Sequence, residues 1–214
     1  MGDVARLGGA EQGAKRRWWN PSSLRCLALL AAAFAGTSAS AANAAPRDVD
    51  SLLAPLRACP ASDRANMPVA SQLRAMGCLV SYVRARAGLP PMRVSRDLDR
   101  AAKSKIQSDL RCDEFTHTPC GVSFVAEYFR VGYARAATFV VGENLAWAAG
   151  PLTSPRDIMS MWLHSPGHLR NLLEPEWRDC GLAVRARVDF LGHRGVVLWA
   201  SEFGARRGPV SAAT

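Results

Sequence analysis

Residues 162–171 read Trp-Leu-His-Ser-Pro-Gly-His-Leu-Arg-Asn, and this stretch gives the strongest indication of the fold. It lies downstream of two other polar motifs, Phe-Thr-His-Thr at 115–118 and Gly-Glu-Asn at 142–144. Each of the three motifs places one side chain that can bind a ligand in an otherwise apolar setting: His117, Glu143 and His168. Two imidazoles and a carboxylate suit a divalent cation or a proton-transfer site. The pattern therefore predicts that these three side chains converge in one cleft.

The three motifs occur in an order and spacing that resemble the bacterial branch of the CAP superfamily. That superfamily includes cysteine-rich secretory proteins, insect venom antigens and plant pathogenesis-related proteins. The resemblance spans residues 78–204 and includes the terminal Glu202-Phe203-Gly204. It implies an α+β fold, a three-layer α–β–α sandwich with a small antiparallel sheet. It also implies that His117, Glu143 and His168 line the ligand cleft.

The chain departs from the family pattern at one position of the site. Animal and plant members carry two histidines and two acidic residues, whereas this chain supplies both histidines and one acid. The second acid is expected on the helix around Trp162, and Ser165 lies near where it would fall. We expect three further residues to hold the ligand-contacting side chains in place: Asn144, Ser165 and Asn171.

The whole 214-residue chain has a net charge of +9, and its N-terminus predicts an exported protein. Lys15-Arg16-Arg17 and the apolar run 27–34 indicate a signal peptide over 1–44, cleaved after Ala41 or Ala44. The apolar run is too short to cross a bilayer, which takes about 20 residues. No transmembrane segment is therefore expected in the mature chain. The prolines of 45–68 indicate an extended arm, 69–204 the CAP domain, and 205–214 a flexible tail.

Five cysteines remain once Cys26 leaves with the signal peptide. In an exported protein they indicate disulfides. We predict that Cys59 pairs with Cys78 and Cys112 with Cys120, around the loop that holds His117. Cys180 is left unpaired beside a predicted strand. A zinc site built from cysteines is disfavoured because no Cys-x-x-Cys spacing exists.

The apolar spacing predicts helices first and strands last, which indicates an α+β class. Helices are expected from Val69 to the stop at Gly88, after an N-cap at Ser95, over 123–131, and from Ser154 to about Ser165. Residues 180–188 and 195–203 are expected to form an antiparallel hairpin. The stretch between the third and fourth helices is expected to be polar and irregular.

Three functions fit these observations. The preferred one is a secreted, monomeric CAP protein that binds a metal ion, a lipid or a cell-envelope component in the His117/Glu143/His168 cleft. The alternative is a metal-dependent extracellular hydrolase acting on peptide or cell wall, with His117, His168 and Glu143 holding zinc. The third is an interaction scaffold. Serine-hydrolase and phosphate-loop motifs are missing, and no nucleic-acid-binding module is recognised.

Overall fold

The computed structural model describes residues 2–8 and 48–210, with the backbone alone at 2–8, 136–137 and 208–210. Five α-helices and five strands make up this part of the chain. The helices are α1 (Val69–Arg86), α2 (Arg96–Cys112), α3 (Ala126–Arg130), α4 (Pro155–Leu163) and α5 (Pro166–Leu172). The strands are β1 (Gly2–Gly8), β2 (Arg93–Val94), β3 (Ala136–Ala148), β4 (Asp179–Phe190) and β5 (His193–Val210).

Local capping chemistry fixes where the two best-predicted helices begin. The Ser95 hydroxyl accepts a hydrogen bond from the Leu98 amide at 3.4 Å and starts α2. Ser154 and Asp157 form a reciprocal capping box at the start of α4, with Pro155 as the first helical residue. Both predicted starts are confirmed. The third helix is shorter than predicted, since only 126–130 are helical.

The sheet is larger and less regular than the predicted hairpin. Its order is β1-β3-β5-β4-β2. All neighbours are antiparallel except β2, which pairs in parallel with β4 through two residues. The expectation of a purely antiparallel sheet is therefore wrong at this edge. The sequence pattern also missed β3, because Gly142-Glu143-Asn144 interrupts its apolar residues and hides the strand period.

Both faces of the sheet are covered, which confirms the α–β–α sandwich. On one face Trp199 packs with Trp162 and Met76, from α4 and α1. On the other face Leu198 and Ala200 pack with residues of α2. Neighbouring residues of β5 thus point to opposite helical layers, as strand geometry requires.

The approach of α2 to the sheet depends on a glycine. A Cβ built on Gly181 of β4 would lie 2.1 Å from the backbone carbon of Leu98. No larger residue fits there without moving the helix. Gly181 therefore sets the distance between α2, which carries part of the site, and the sheet.

The N-terminal arm differs from its prediction. Residues 48–68 begin with a 3-10 turn at Val49–Leu52 and continue through further turns. Leu52, Ala54 and Cys59 are buried in the core of the α1 face. The apolar side chains of this segment therefore hold it against the domain, and it is not extended. Residues 45–47 lie outside the described part of the chain.

The predicted disulfides are confirmed. Cys59 pairs with Cys78 and Cys112 with Cys120, each with Cα atoms 5.7 Å apart. Cys180 is free and buried.

The predicted C-terminal tail is wrong over residues 205–210, because β5 continues through them. Thr138 pairs with Arg207 and Ala136 with Val210, so the long β3 extends the sheet past Gly204. Residues 211–214 lie outside the described part. So does the predicted signal peptide, apart from β1, whose backbone pairs with β3. Within the described residues no helix is long and apolar enough to span a membrane.

Candidate functional site

His117 and Glu143 form the centre of the site. The Nδ1 atom of His117 lies 2.5 Å from Oε1 of Glu143. His117 is placed by the loop that the Cys112–Cys120 disulfide closes after α2, and Glu143 by β3. The imidazole is 8% exposed, whereas Glu143 is 2% exposed. The predicted pairing of these two residues is thus present, with the histidine on the outer side.

Helix α2 adds a buried cation and a second carboxyl group. The Lys105 ammonium lies 3.6 Å from Glu143 Oε1 and 3.7 Å from Asp109 Oδ1. It also donates a 2.5 Å hydrogen bond to the carbonyl of Thr116, in the loop that holds His117. Lys105 therefore ties the helix, the loop and the strand together at one point.

A second glutamate lies beside the first one. Glu202 of β5 is the cross-strand partner of Glu143, so two buried carboxyl groups are neighbours. Two neighbouring carboxylates repel each other in the interior, which favours a proton on one of them. The hydroxyl of Tyr128, which also contacts Glu202, donates to the carbonyl of Gly142 at 2.9 Å. Since that hydroxyl has one proton, its contact with Glu202 is also consistent with a protonated carboxyl.

Burial dominates the electrostatics of this cluster, defined as Lys105, Asp109, His117, Tyr128, Glu143 and Glu202. Burial raises the pKa of Glu143 to about 8, against the opposing effect of Lys105. Burial likewise raises the pKa of Asp109 to about 7. It also raises the pKa of Glu202 well above its usual range, and the neighbouring Glu143 adds to the effect. The cluster therefore retains protons that exposed carboxyl groups lose.

Two asparagines hold the backbone behind the site. Asn171 Nδ2 donates to the Glu143 carbonyl and to Asn144 Oδ1, each at 3.0 Å. Asn144 Nδ2 donates to the backbone carbonyl of His168 at 3.1 Å. Their predicted supporting role agrees with these contacts. Ser165 precedes α5 and makes no capping hydrogen bond with its side chain.

His168 lies in the short helix α5, which follows the predicted end of α4 near Ser165. Strand alternation puts Glu143 on the face that packs on α2, because Leu145 packs there. Asn144 lies on the opposite face, with Ala146 and the α4 layer. Since His168 joins the site through Asn144, it would meet Glu143 around the outer edge of β3. Strand β1 pairs with β3 along that same edge, and its register covers Glu143. Convergence of all three side chains stays a prediction.

The arrangement at Glu143 does not fit a divalent metal. Its Oε1 atom already contacts the His117 ring nitrogen, and the Lys105 ammonium lies where a cation would compensate its charge. Among the described residues no three His, Cys, Asp or Glu side chains form a group with metal-site geometry. Metal binding by His117 and His168 stays a prediction. Glu143 cannot be a third ligand while it keeps its contacts with His117 and Lys105.

Sequence reasoning missed four members of the cluster: Lys105, Asp109, Tyr128 and Glu202. A signal existed for the first two, since they continue the buried stripe of Leu98 and Ala102 at three- and four-residue steps. Charged residues in such a stripe need buried partners. No local signal existed for Tyr128 and Glu202, because tertiary packing and strand register bring them to the site.

The comparison with protein families agrees with this fold. Residues 78–187 match the sequence model of the CAP family, described as the cysteine-rich secretory protein family. The match covers just over half of the chain, and the chain belongs to this family.

Individual relatives are more distant. A Bacillus subtilis (strain 168) protein described as "Uncharacterized protein YkwD" is 30% identical over 107 residues, covering 49% of this chain and 38% of that protein. The chain thus spans well under half of that relative.

Two solved structures share the fold. An extracellular protein containing a SCP domain from Bacillus anthracis str. Ames has a TM-score of 0.54 at 18% identity, over 68% of this chain and 43% of that one. An outer surface protein from Borrelia burgdorferi has a TM-score of 0.55 at 16% identity, over 66% of this chain and 97% of that one.

Proposed function

We propose that this chain is exported and binds a polar or lipid component of the cell envelope at His117. The observation that carries the proposal is the 2.5 Å contact between His117 and Glu143 within a cluster of buried ionisable groups. Within that cluster His117 is the most exposed side chain, at 8%. A ligand therefore meets the imidazole, and the cluster behind it sets the orientation and charge of that ring.

The energetics of burial favour a functional origin for the cluster. Removing charged groups from water costs several kcal/mol each unless their contacts compensate fully. Glu143 and Asp109 are buried deeply enough for their pKa values to reach about 8 and about 7. Apolar residues would fill the same space at lower cost. Strongly perturbed carboxyl groups gathered behind a histidine are typical of binding and catalytic sites.

Three observations support export. The N-terminal sequence has the basic and apolar regions of a signal peptide. The chain carries two disulfides, which persist in oxidising compartments. Proteins with the same domain include an extracellular and an outer surface protein. Cleavage after Ala41 or Ala44 would also remove β1 and open the edge of β3 between Glu143 and His168.

A metal-dependent hydrolase gains less support. It needs a metal beside a carboxylate, and the Lys105 ammonium occupies that place at Glu143. A zinc ion on the two histidines alone would bind only while they are neutral, so its affinity would fall as the pH drops through roughly 6.5. Calorimetric titration with zinc at about pH 5.5 and about pH 7.5 tests this, because those values bracket the imidazole pKa.

The proposal is tested with co-sedimentation of the exported protein with phospholipid vesicles and with insoluble peptidoglycan. His117→Ala and His168→Ala should each weaken binding to the responding probe by about tenfold or more, equivalent to 1.4 kcal/mol. His193→Ala is the matched control, because His193 is exposed at the start of β5. Binding that survives His117→Ala, or no binding to either probe, would contradict the proposal. Size-exclusion chromatography of the same samples tests the predicted monomer.

A further inference from the structure

A long groove runs along the open edge of β4, and none of its residues belongs to the site described above. It has a volume of about 1110 Å³. Residues 183–188 of β4 form its floor, and its walls come from 65–72 at the start of α1 and from one side of α2. The groove therefore lies in the plane of the sheet, between the two helical layers.

The floor of the groove is a strand edge without a neighbouring strand. On this side of β4 the only described pairing is with β2, and it ends at Cys180. The Cys180 carbonyl accepts from Ser95 on this side, and the Leu182 amide donates to the Asp99 carboxylate. Because strand residues alternate in the direction of their backbone groups, Val184 and Ala186 direct their N–H and C=O groups into the groove.

The rim of the groove carries charge of one sign. Four basic residues line it, and no acidic residue does: Lys103, Arg111, Arg185 and Arg187. All four are exposed. A strand edge bearing several cations repels a second copy of itself, which is one way that proteins protect such edges. The same charges attract an acidic strand.

We propose that this groove binds an extended acidic peptide segment of another protein, which adds as a strand to the edge of β4. Backbone hydrogen bonds to Val184 and Ala186 supply the pairing. Alternate acidic side chains meet the basic residues on the α2 side of the groove, and the apolar side chains between them point to the opposite wall, which includes Met67 and Val69. The open backbone groups favour a peptide over an acyl chain, since an acyl chain satisfies none of them.

The proposal is tested by fluorescence anisotropy with a labelled peptide in which glutamate and valine alternate, added to the purified protein. Binding is expected, and it should weaken as salt is raised. Arg185→Glu should weaken it by at least about tenfold, because like charges then face each other. Arg194→Glu is the matched control, since Arg194 is exposed and does not line the groove. Circular dichroism of both variants checks that they fold.

Two further measurements separate strand pairing from simple charge attraction. Methylation of the peptide's backbone nitrogens should abolish binding, and hydrogen exchange at Val184 and Ala186 should slow on binding while Ala183 is unchanged. Equal binding by the methylated peptide, or by Arg185→Glu, would overturn the proposal. So would failure of the acidic peptide to bind while vesicles of anionic phospholipid bind in an Arg185-dependent manner.

Discussion

Replacing Glu143 with glutamine should make the domain more stable at high pH while weakening its binding function. Glutamine keeps the size of the side chain and its hydrogen-bonding capacity, but it has no proton to lose. In the native chain Glu143 lies between His117, Lys105 and Glu202. Burial raises its pKa from 4.5 to about 8, so the folded state holds a proton that the unfolded chain releases.

The sign and size of the effect follow from this pKa. Below pH 4.5 the carboxyl group is protonated in both states, and it adds no pH dependence. Between 4.5 and about 8 the unfolded chain binds fewer protons, so the free energy of unfolding falls as the pH rises. At about 1.4 kcal/mol per pH unit, the loss attributable to Glu143 approaches roughly 5 kcal/mol. Glu143→Gln should remove most of that loss.

Urea unfolding of the exported protein at about pH 4, 7 and 9 measures the difference, because these conditions bracket 4.5 and about 8. The variant and the native chain should have similar stability at the lowest pH, and the variant should be more stable at the highest. Asp63→Asn, a change at an exposed carboxyl group, should leave the pH profile unchanged. Parallel profiles for Glu143→Gln and the native chain would refute the reasoning that Glu143 is held protonated by burial.

Three other outcomes are expected. Thiol titration of the unreduced protein without its signal peptide should find one reactive cysteine, Cys180, and only after unfolding. Cys180 is buried, and burial raises the pKa of its thiol to about 12. Three free thiols would contradict the disulfide pairing. Gly181→Ala should lower the free energy of unfolding by roughly 1–3 kcal/mol through overpacking against α2, whereas Gly77→Ala, with its nearest atom at 3.9 Å, should not destabilise the domain. Asn171→Ala should cost roughly 1–3 kcal/mol in urea unfolding, because two buried acceptors lose their donor; an unchanged midpoint would argue against this role.

The sequence predicted the elements whose signals are local. The caps at Ser95 and Ser154 each depend on contacts within a few residues, and both helices begin where they were expected. It did not predict β3, whose position depends on pairing with β5 far along the chain. The continuation of β5 past Gly204 was missed for the same reason. This basic segment forms a strand because it pairs with β3.

The residues of the site likewise divide into those that a local pattern predicts and those that only tertiary contacts bring together. The His117 and Glu143 motifs were recognisable because each interrupts an apolar segment, and the two side chains are in contact. Glu202 was visible only as part of a terminal motif, since strand register alone places it against Glu143. The position of Lys105 within the buried stripe of α2 indicated a partner in the interior but did not identify that partner. Buried polar clusters are built from tertiary contacts, which a local pattern does not contain.

The central claim is that envelope ligands bind at His117, and amide chemical-shift mapping tests it most directly. The isotope-labelled exported protein is titrated with soluble peptidoglycan fragments and, separately, with short-chain phospholipid. The account predicts that one of these ligands shifts the amides around His117, Glu143 and His168 most strongly, and that His117→Ala abolishes those shifts. Shifts confined to other surfaces, or none with either ligand, would contradict it.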